Sequence, residues 1–295
     1  MRWAIAADIG GTWTKLGIVS EGGDLKASKR IPTQGPAGPF LERLRDEIRA
    51  LLRIEPGSSV GIAVAGFINA AHEAMIYNPN LPWLQNIPLT PELTAAIGRS
   101  VILEVDSNAS ALAEYRCGTG KGSQRFLCVT AGTGIGGGLI SGGRILRIAY
   151  ECIGDVGHVI VEPDGQWCAC GGRGCAEASA SAPAILKRAG NGGTLEDLAA
   201  QARLGDPAAI RAFDEAGRLL GVLLASLSAI FFPDRIALGG GVCEASPLVV
   251  RSANAEFRRS AGSLARGDIT VSKAALGSWA PLIGAGLAAI ENGSR

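Results

Sequence analysis

Histidine is nearly absent from this chain, and so is any imbalance of charge. Its 295 residues include two histidines, His72 and His158, and the formal net charge is +1. A surface so close to neutral gives no reason to expect nucleic acid or an acidic membrane face as a partner. No apolar run reaches the roughly 20 residues that a bilayer-spanning helix needs. The most apolar stretch, 219–232, carries Ser226 and Ser228 and reads as a buried core helix. The opening run is too short for a signal peptide and is interrupted by Asp8. There is no low-complexity linker, and no P-loop ending in Gly-Lys-Ser/Thr. Seven cysteines, odd in number and unevenly spaced, argue against a disulfide framework in a chain this long. The expected setting is reducing and cytoplasmic.

What is present is concentrated. Cys168, Cys170 and Cys175 fall within eight positions, and His158 lies ten residues before the first of them. Three cysteines and a histidine form a closed tetrahedral zinc set, with no open position for activating water. Such a site holds structure. The other cysteines, Cys117, Cys128, Cys152 and Cys243, read as small buried apolar residues. Glycine, at 42 residues, is clustered. Clustered glycine marks turns where backbone approaches a ligand or another segment.

The pattern of elements is α/β. Residues 4–9 and 15–19 read as strands around Gly10-Gly11-Thr12, and 126–131 and 136–140 as strands around Gly132-Thr133-Gly134. Two such units imply an internally duplicated fold, and their hairpins imply sheets that are not wholly parallel. Helices are expected over 39–53, 91–97, 108–116, 182–189, 195–203, 207–231, 248–259 and 281–291, from their apolar spacing. Further strands are expected over 60–65, 101–105, 236–238 and 269–272. The expected division is a small domain over 1–107 and a larger one over 108–280. The final helix, 281–292, is free to pack back on the first.

Four motifs carry chemistry. In Asp8-Ile9-Gly10-Gly11-Thr12-Trp13-Thr14-Lys15 the glycines let backbone amides face a concave turn suited to phosphate oxygens. Thr12 and Thr14 add hydroxyls, Lys15 a charge, and Asp8 a carboxylate for a magnesium-bound water. A ligand-free hairpin turn is the plain alternative. Residues 130–138, from Thr130 through Gly132, Thr133 and Gly134, satisfy GxGxxG. A nicotinamide-type site requires a helix after the glycines, whereas a strand there means a second phosphate hairpin. Gly239-Gly240-Gly241 follows a strand and could let a flat adenosine ring lie against bare backbone, or simply make a tight turn. Asp106 ends a buried strand. It reads either as a helix cap or as a general base facing a cleft, with Asn108 as a second candidate cap. Three glycine turns and a poised aspartate together describe phosphoryl transfer.

Taken together these motifs resemble the ROK family of sugar kinases and sugar-responsive repressors, within the two-domain actin/hexokinase-like (ribonuclease H-like) fold of mixed sheets and flanking helices. The resemblance runs nearly end to end. It covers Asp8–Lys15, Asn80-Leu81, Asp106 to Ala109, Thr130–Gly138, the run 154–158, the cysteine cluster, Gly239–Gly241 and the run 275–277. It implies ATP with Mg2+ as phosphate donor, structural Zn2+ on His158, Cys168, Cys170 and Cys175, and Asp106 as catalytic base toward a hexose hydroxyl, O6 by default. It places the first two glycine turns on the ATP phosphates and the third on adenosine. It also puts Gly66, Asn80, Asp155, His158 and Glu177 on the sugar. Glu177 has a plain alternative as a helix N-terminal charge. Glucose is the default substrate and a homodimer the expected assembly. Two positions depart from the family pattern: Val105 stands where Asn is usual, and Asp155 where Glu is usual. They leave open another hexose, an N-acylhexosamine such as N-acetylmannosamine, or a catalytically weak sugar sensor. With the phosphate turn beginning at Asp8, the DNA-binding segment of the family's repressors is not expected. His72 matches no motif and reads as a surface residue.

Overall fold

The computed structural model describes residues 1–190, 192–263 and 268–292. The chain forms two compact units. The first comprises Met1–Gly118, Ile145–Gly154 and the segment from Trp279; the second comprises Thr119–Arg144 and Asp155–Ser278.

The first unit holds strands β1 (Trp3–Ile9), β2 (Trp13–Ser20), β3 (Leu25–Pro32), β4 (Ser59–Val64) and the short pair β5 (Phe67–Ile68) and β6 (Met75–Tyr77). With β7 (Val101–Val105) the main sheet runs β3-β2-β1-β4-β7. The β1–β2 and β2–β3 pairs are antiparallel; β1–β4 and β4–β7 are parallel. The alternation of each strand splits the sheet into two faces. Ile5, Ile9, Ile62, Leu103 and Val105 lie on one face. They join a single apolar core with Phe40, Leu44 and Ile48 of helix α1 (Ala37–Ile54) and Leu93 of α2 (Leu89–Ile97). The closing helix, Ala280–Asn292, covers the other face, with Ala289 and Ile290 against Ala4. Gly61 makes that approach possible, because a Cβ there would overlap the Ala285 carbonyl.

The sequence predicts a break at residues 107 and 108, but the described chain divides after Gly118. Helix α3 (Asp106–Cys117) lies so close to the closing helix that a Cβ on Gly284 would overlap the Ala109 carbonyl, and this holds α3 in the first unit. Strand β3 is not predicted by the sequence analysis. Its pattern of half-exposed and exposed residues is that of an edge strand, so it lacks an apolar run.

The second unit repeats the arrangement. Strands β8 (Arg125–Ala131), β9 (Ile135–Ser141), β10 (Arg144–Ile145), β11 (Arg235–Gly239) and β12 (Thr270–Lys273) run in the order β10-β9-β8-β11-β12. The hairpin β8–β9 is antiparallel, while β8–β11 and β11–β12 are parallel. Hairpin plus parallel crossovers thus occur twice, as the paired glycine turns imply. Helices α4 (Ala176–Ala180), α5 (Ala182–Ala189), α6 (Leu195–Arg203), α7 (Pro207–Phe231), α8 (Gly241–Ala245) and α9 (Pro247–Ser260) complete the unit. Gly217 and Gly221 of α7 meet the Val249 and Ala253 carbonyls, so those two helices pack backbone to backbone. Among the described residues no helix is long and apolar enough to cross a membrane.

Candidate active site

In the first unit the polar residues gather in one row across the sheet. Arg30 pairs with Lys15, Lys15 with Asp8, Asp8 with Ala63, and Ala63 with Glu104. Successive side chains alternate between faces, so the row lies on the face opposite the α1 core. Lys15 Nζ donates to Asp8 Oδ2 at 3.1 Å, and both are largely buried. Trp279 lies beneath this edge, its ring centroid 5.8 Å from Lys15 Nζ and 5.3 Å from Arg30 Cζ. Burial raises the Asp8 carboxyl above its ordinary range, with Lys15 opposing the shift.

The turn between β1 and β2 presents exposed Gly11 and Thr12, and Gly10 N donates to Trp13 O at 3.2 Å. Thr14 does not join them. It is wholly buried and its hydroxyl is shared with Thr33 at 2.7 Å, which corrects its expected place among the phosphate-facing hydroxyls. Asn80 lies against this turn, since a Cβ on Gly11 would sit 3.6 Å from Asn80 Cβ. Asn80 is held by Asn78, a residue that sequence reasoning did not single out. The Asn78 side chain is 2% exposed; it donates to Ala65 O at 2.9 Å and accepts from Asn80 N at 2.8 Å. The clue was the repeated asparagine in Asn78-Pro79-Asn80. Gly66, with φ of 93°, faces the Tyr77 carbonyl so closely that no side chain fits.

Asp106 is the first residue of α3, and Val105 precedes the helix without a side-chain cap bond. Neither cap expectation holds. Asp106 Oδ1 accepts from its neighbour Ser107 N at 2.7 Å, and the wholly buried Asn108 turns its amide to Glu104 instead. Desolvation raises the Asp106 carboxyl to about 7, and the negative Asp8 nearby adds to the shift. A group poised there suits proton abstraction near neutrality. Val105 is 3% exposed and belongs to the apolar core, on the opposite face from Glu104.

In the second unit, residues 132–134 form the β8–β9 turn, closed by Gly132 N donating to Gly134 O at 2.8 Å. A strand follows, not a helix, so the nicotinamide reading fails. Thr133 is exposed at the tip and Thr130 half-buried on β8. Glu177, in the first turn of α4, accepts from Ile135 N at 2.9 Å and so ties this turn to α4. Gly240, with φ of 87°, is pressed against Ala131 between Gly239 of β11 and Gly241 of α8. Gly240→Ala combines that overlap with an unfavourable left-handed backbone, so it is expected to cost about 2–4 kcal/mol. Urea denaturation would measure this.

The histidine–cysteine set also assembles. One ligand atom from each of His158, Cys168, Cys170 and Cys175 lies within 4.8 Å of all the others. Cys168 Sγ is 3.5 Å from His158 Nδ1, and Cys170 Sγ is 3.7 Å from Cys175 Sγ. A tetrahedral zinc ion with sulfur ligands at about 2.3 Å needs sulfurs roughly 3.8 Å apart, so the donor set fits zinc. Burial pushes the Cys175 thiol up to about 12, and the neighbouring thiols add to this. With Nδ1 turned to Cys168, His158 Nε2 faces Asp155 Oδ2 at 3.4 Å. Asp155, though one methylene shorter than Glu, still reaches it. The knuckle is built on glycine: Gly171 and Gly174 have φ of 89° and 79°.

The doubled sheet order, with its paired glycine hairpins, defines a member of the actin/hexokinase-like fold. The chain belongs to the ROK family, whose model matches residues 4–292. It is 31% identical to a glucokinase of Streptomyces coelicolor over 97% of this chain and 96% of the relative. It is likewise 31% identical to an N-acetylmannosamine kinase of Citrobacter koseri, over 81% of this chain and 83% of the relative. The solved structure of a ROK family glucokinase from Streptomyces griseus in complex with glucose and AMPPNP superposes with a TM-score of 0.86 at 32% identity, covering 98% of this chain and 99% of that one.

Proposed function

We propose that this chain is an ATP-dependent sugar kinase that phosphorylates a hexose hydroxyl, O6 of glucose by default, with Asp106 as general base. The observation that carries the reading is the Asp106 carboxyl at the start of α3, with its proton affinity raised to about 7 beside Asp8. The base would take the hydroxyl proton as the sugar oxygen bonds to the γ-phosphorus in line and the bond from that phosphorus to ADP breaks, ADP being the leaving group. Positioning and charge stabilisation do the rest. Bound Mg2+–ATP would supply the phosphoryl group and offset its developing charge. Asp8 is assigned to the magnesium hydration shell, and Gly10, Gly11, Thr12 and Lys15 to the phosphates. Thr130, Gly132, Thr133 and Gly134 are assigned to the phosphates as well, and Gly239, Gly240 and Gly241 to adenosine. Asn80, Gly66, Asp155, His158 and Glu177 are assigned to sugar hydroxyls. Structural zinc would fix the His158 ring and leave Nε2 free for hydrogen bonding. The likeness to glucokinases over almost the whole chain supports this reading.

An N-acylhexosamine is the second candidate. The N-acetylmannosamine kinase relative supports it, as does Asp155, whose shorter side chain leaves more room than Glu. A coupled assay of ADP release with ATP, run across glucose, mannose, N-acetylglucosamine and N-acetylmannosamine, tests both. One sugar is expected to exceed the rest in kcat/KM. Sugar binding with no ADP release from any of them would overturn the kinase reading in favour of a sensor.

A further inference from the structure

A charged cluster behind the start of α3 has no part in the chemistry above. Glu104 is 2% exposed and stands in the otherwise apolar strand β7. A carboxylate there needs compensating donors. It has three: Val105 N at 3.0 Å, the Asn108 amide at 2.9 Å, and the Arg147 guanidinium. Arg147 also donates through Nε to Glu151 Oε2 at 3.1 Å. Asn108 gives its second amide hydrogen to Glu151 O at 2.6 Å. His72 closes the ring, bonded to the Leu103 carbonyl and to the Glu151 carboxylate at 2.8 Å each. It is therefore a bridging residue, not the bare surface residue that its sequence context suggests. The chain on both sides of Asp106 is thus anchored to one short segment, 147–151.

The backbone points to the same place. His72, Tyr150 and Glu151 have φ of 56°, 51° and 62°, three of the six non-glycine residues with positive φ among those described. Left-handed backbone is unfavourable for residues with a Cβ. It persists where surrounding contacts over-determine it, and it gathers at functional sites. Here the Glu151 carbonyl meets Asn108 of α3 while its carboxylate meets Arg147 and His72.

We propose that Arg147 is a positioning residue for phosphoryl transfer, holding Asp106 in place through Glu104 on one side and the Glu151–Asn108 clamp on the other. The inference rests on Asp106 being the general base. Arginine suits the task because its planar fork can serve two carboxylates at once, which a lysine ammonium does poorly.

The test uses the full chain, ATP and the hexose that the sugar panel ranks first, with melting temperature recorded for every variant. A displacement of about 1 Å at a reacting group costs on the order of 10²-fold, so Arg147→Met is expected to lower kcat about 30- to 100-fold with both KM values within about threefold. Arg147→Lys should recover part of that loss. Wild-type kcat in Arg147→Met, with Asp106→Asn inactive, overturns the positioning role and leaves the base in place. A kcat for Asp106→Asn within about tenfold of wild type overturns both. A loss confined to KM also overturns the proposal. If Arg147→Met does not fold, Arg147→Lys and Glu151→Gln carry the test: reduced kcat at unchanged KM supports the clamp, and wild-type kcat in both overturns it.

Discussion

Asp106→Asn is expected to lower kcat by about 10²–10⁴-fold while leaving hexose affinity nearly unchanged, because the amide keeps the shape of the carboxyl and loses only its capacity to take a proton. Single-turnover kinetics and equilibrium sugar binding would separate the two; retained turnover would sink the general-base role. As the proposed general base, the same carboxyl is expected to set the wild-type pH profile. It ionises at about 7, so kcat/KM should rise with pH through that range. Stability should move the other way. The unfolded chain releases this proton near 3.8 while the folded chain holds it to about 7. Between those values the folded state binds more protons, so the contribution of Asp106 to stability falls as pH rises. Asp106→Asn is therefore expected to stabilise the protein by about 1–3 kcal/mol near pH 8, allowing for partial solvent exposure, and by less near pH 5. A variant that is inactive and more stable would identify a carboxylate kept for chemistry at a cost to the fold.

Loss of zinc is the second large effect. The purified protein is expected to hold about one zinc ion per chain, and Cys170→Ser to lose it. His158 would then be free to rotate, and disturbing the support of such a ligand typically costs about 10- to 100-fold. The loss should appear in sugar KM more than in ATP KM, because the knuckle joins His158 to the turn that carries Glu177. Elemental analysis together with both KM values would check this. A metal-free wild-type protein of full activity would remove the zinc.

Much of the fold was legible because local pattern and tertiary role agree. β1, β4 and β7 are apolar runs ending at glycine or aspartate, and both glycine hairpins lead into strands. The clustering of His158 with the three cysteines was legible from spacing alone, since the four residues lie within eighteen positions. What the sequence hid depends on contacts distant along the chain. Asn108 looked like a cap because it follows a strand and precedes a helix, yet its partner Glu151 lies forty-three residues on. Thr14 looked like a phosphate ligand, but the antiparallel register sets it against Ile31 and its hydroxyl finds Thr33. His72 showed no motif because both of its partners come from other segments. The lone Glu104 in Val101-Ile102-Leu103-Glu104-Val105 was the readable clue to the whole cluster, since a charge in a buried strand requires an answering one.

The closing helix has a consequence for how the chain comes to be folded. It follows the second unit along the chain, yet it covers the sheet of the first unit, with Gly286 against Val19 and Ala289 against Ala4. During synthesis the sheet of the first unit emerges early and waits with that face uncovered while the second unit is made. The first unit is thus completed only after the second has been made. In that interval the sheet lacks its covering helix, the kind of partly built state in which uncovered surface is prone to aggregate.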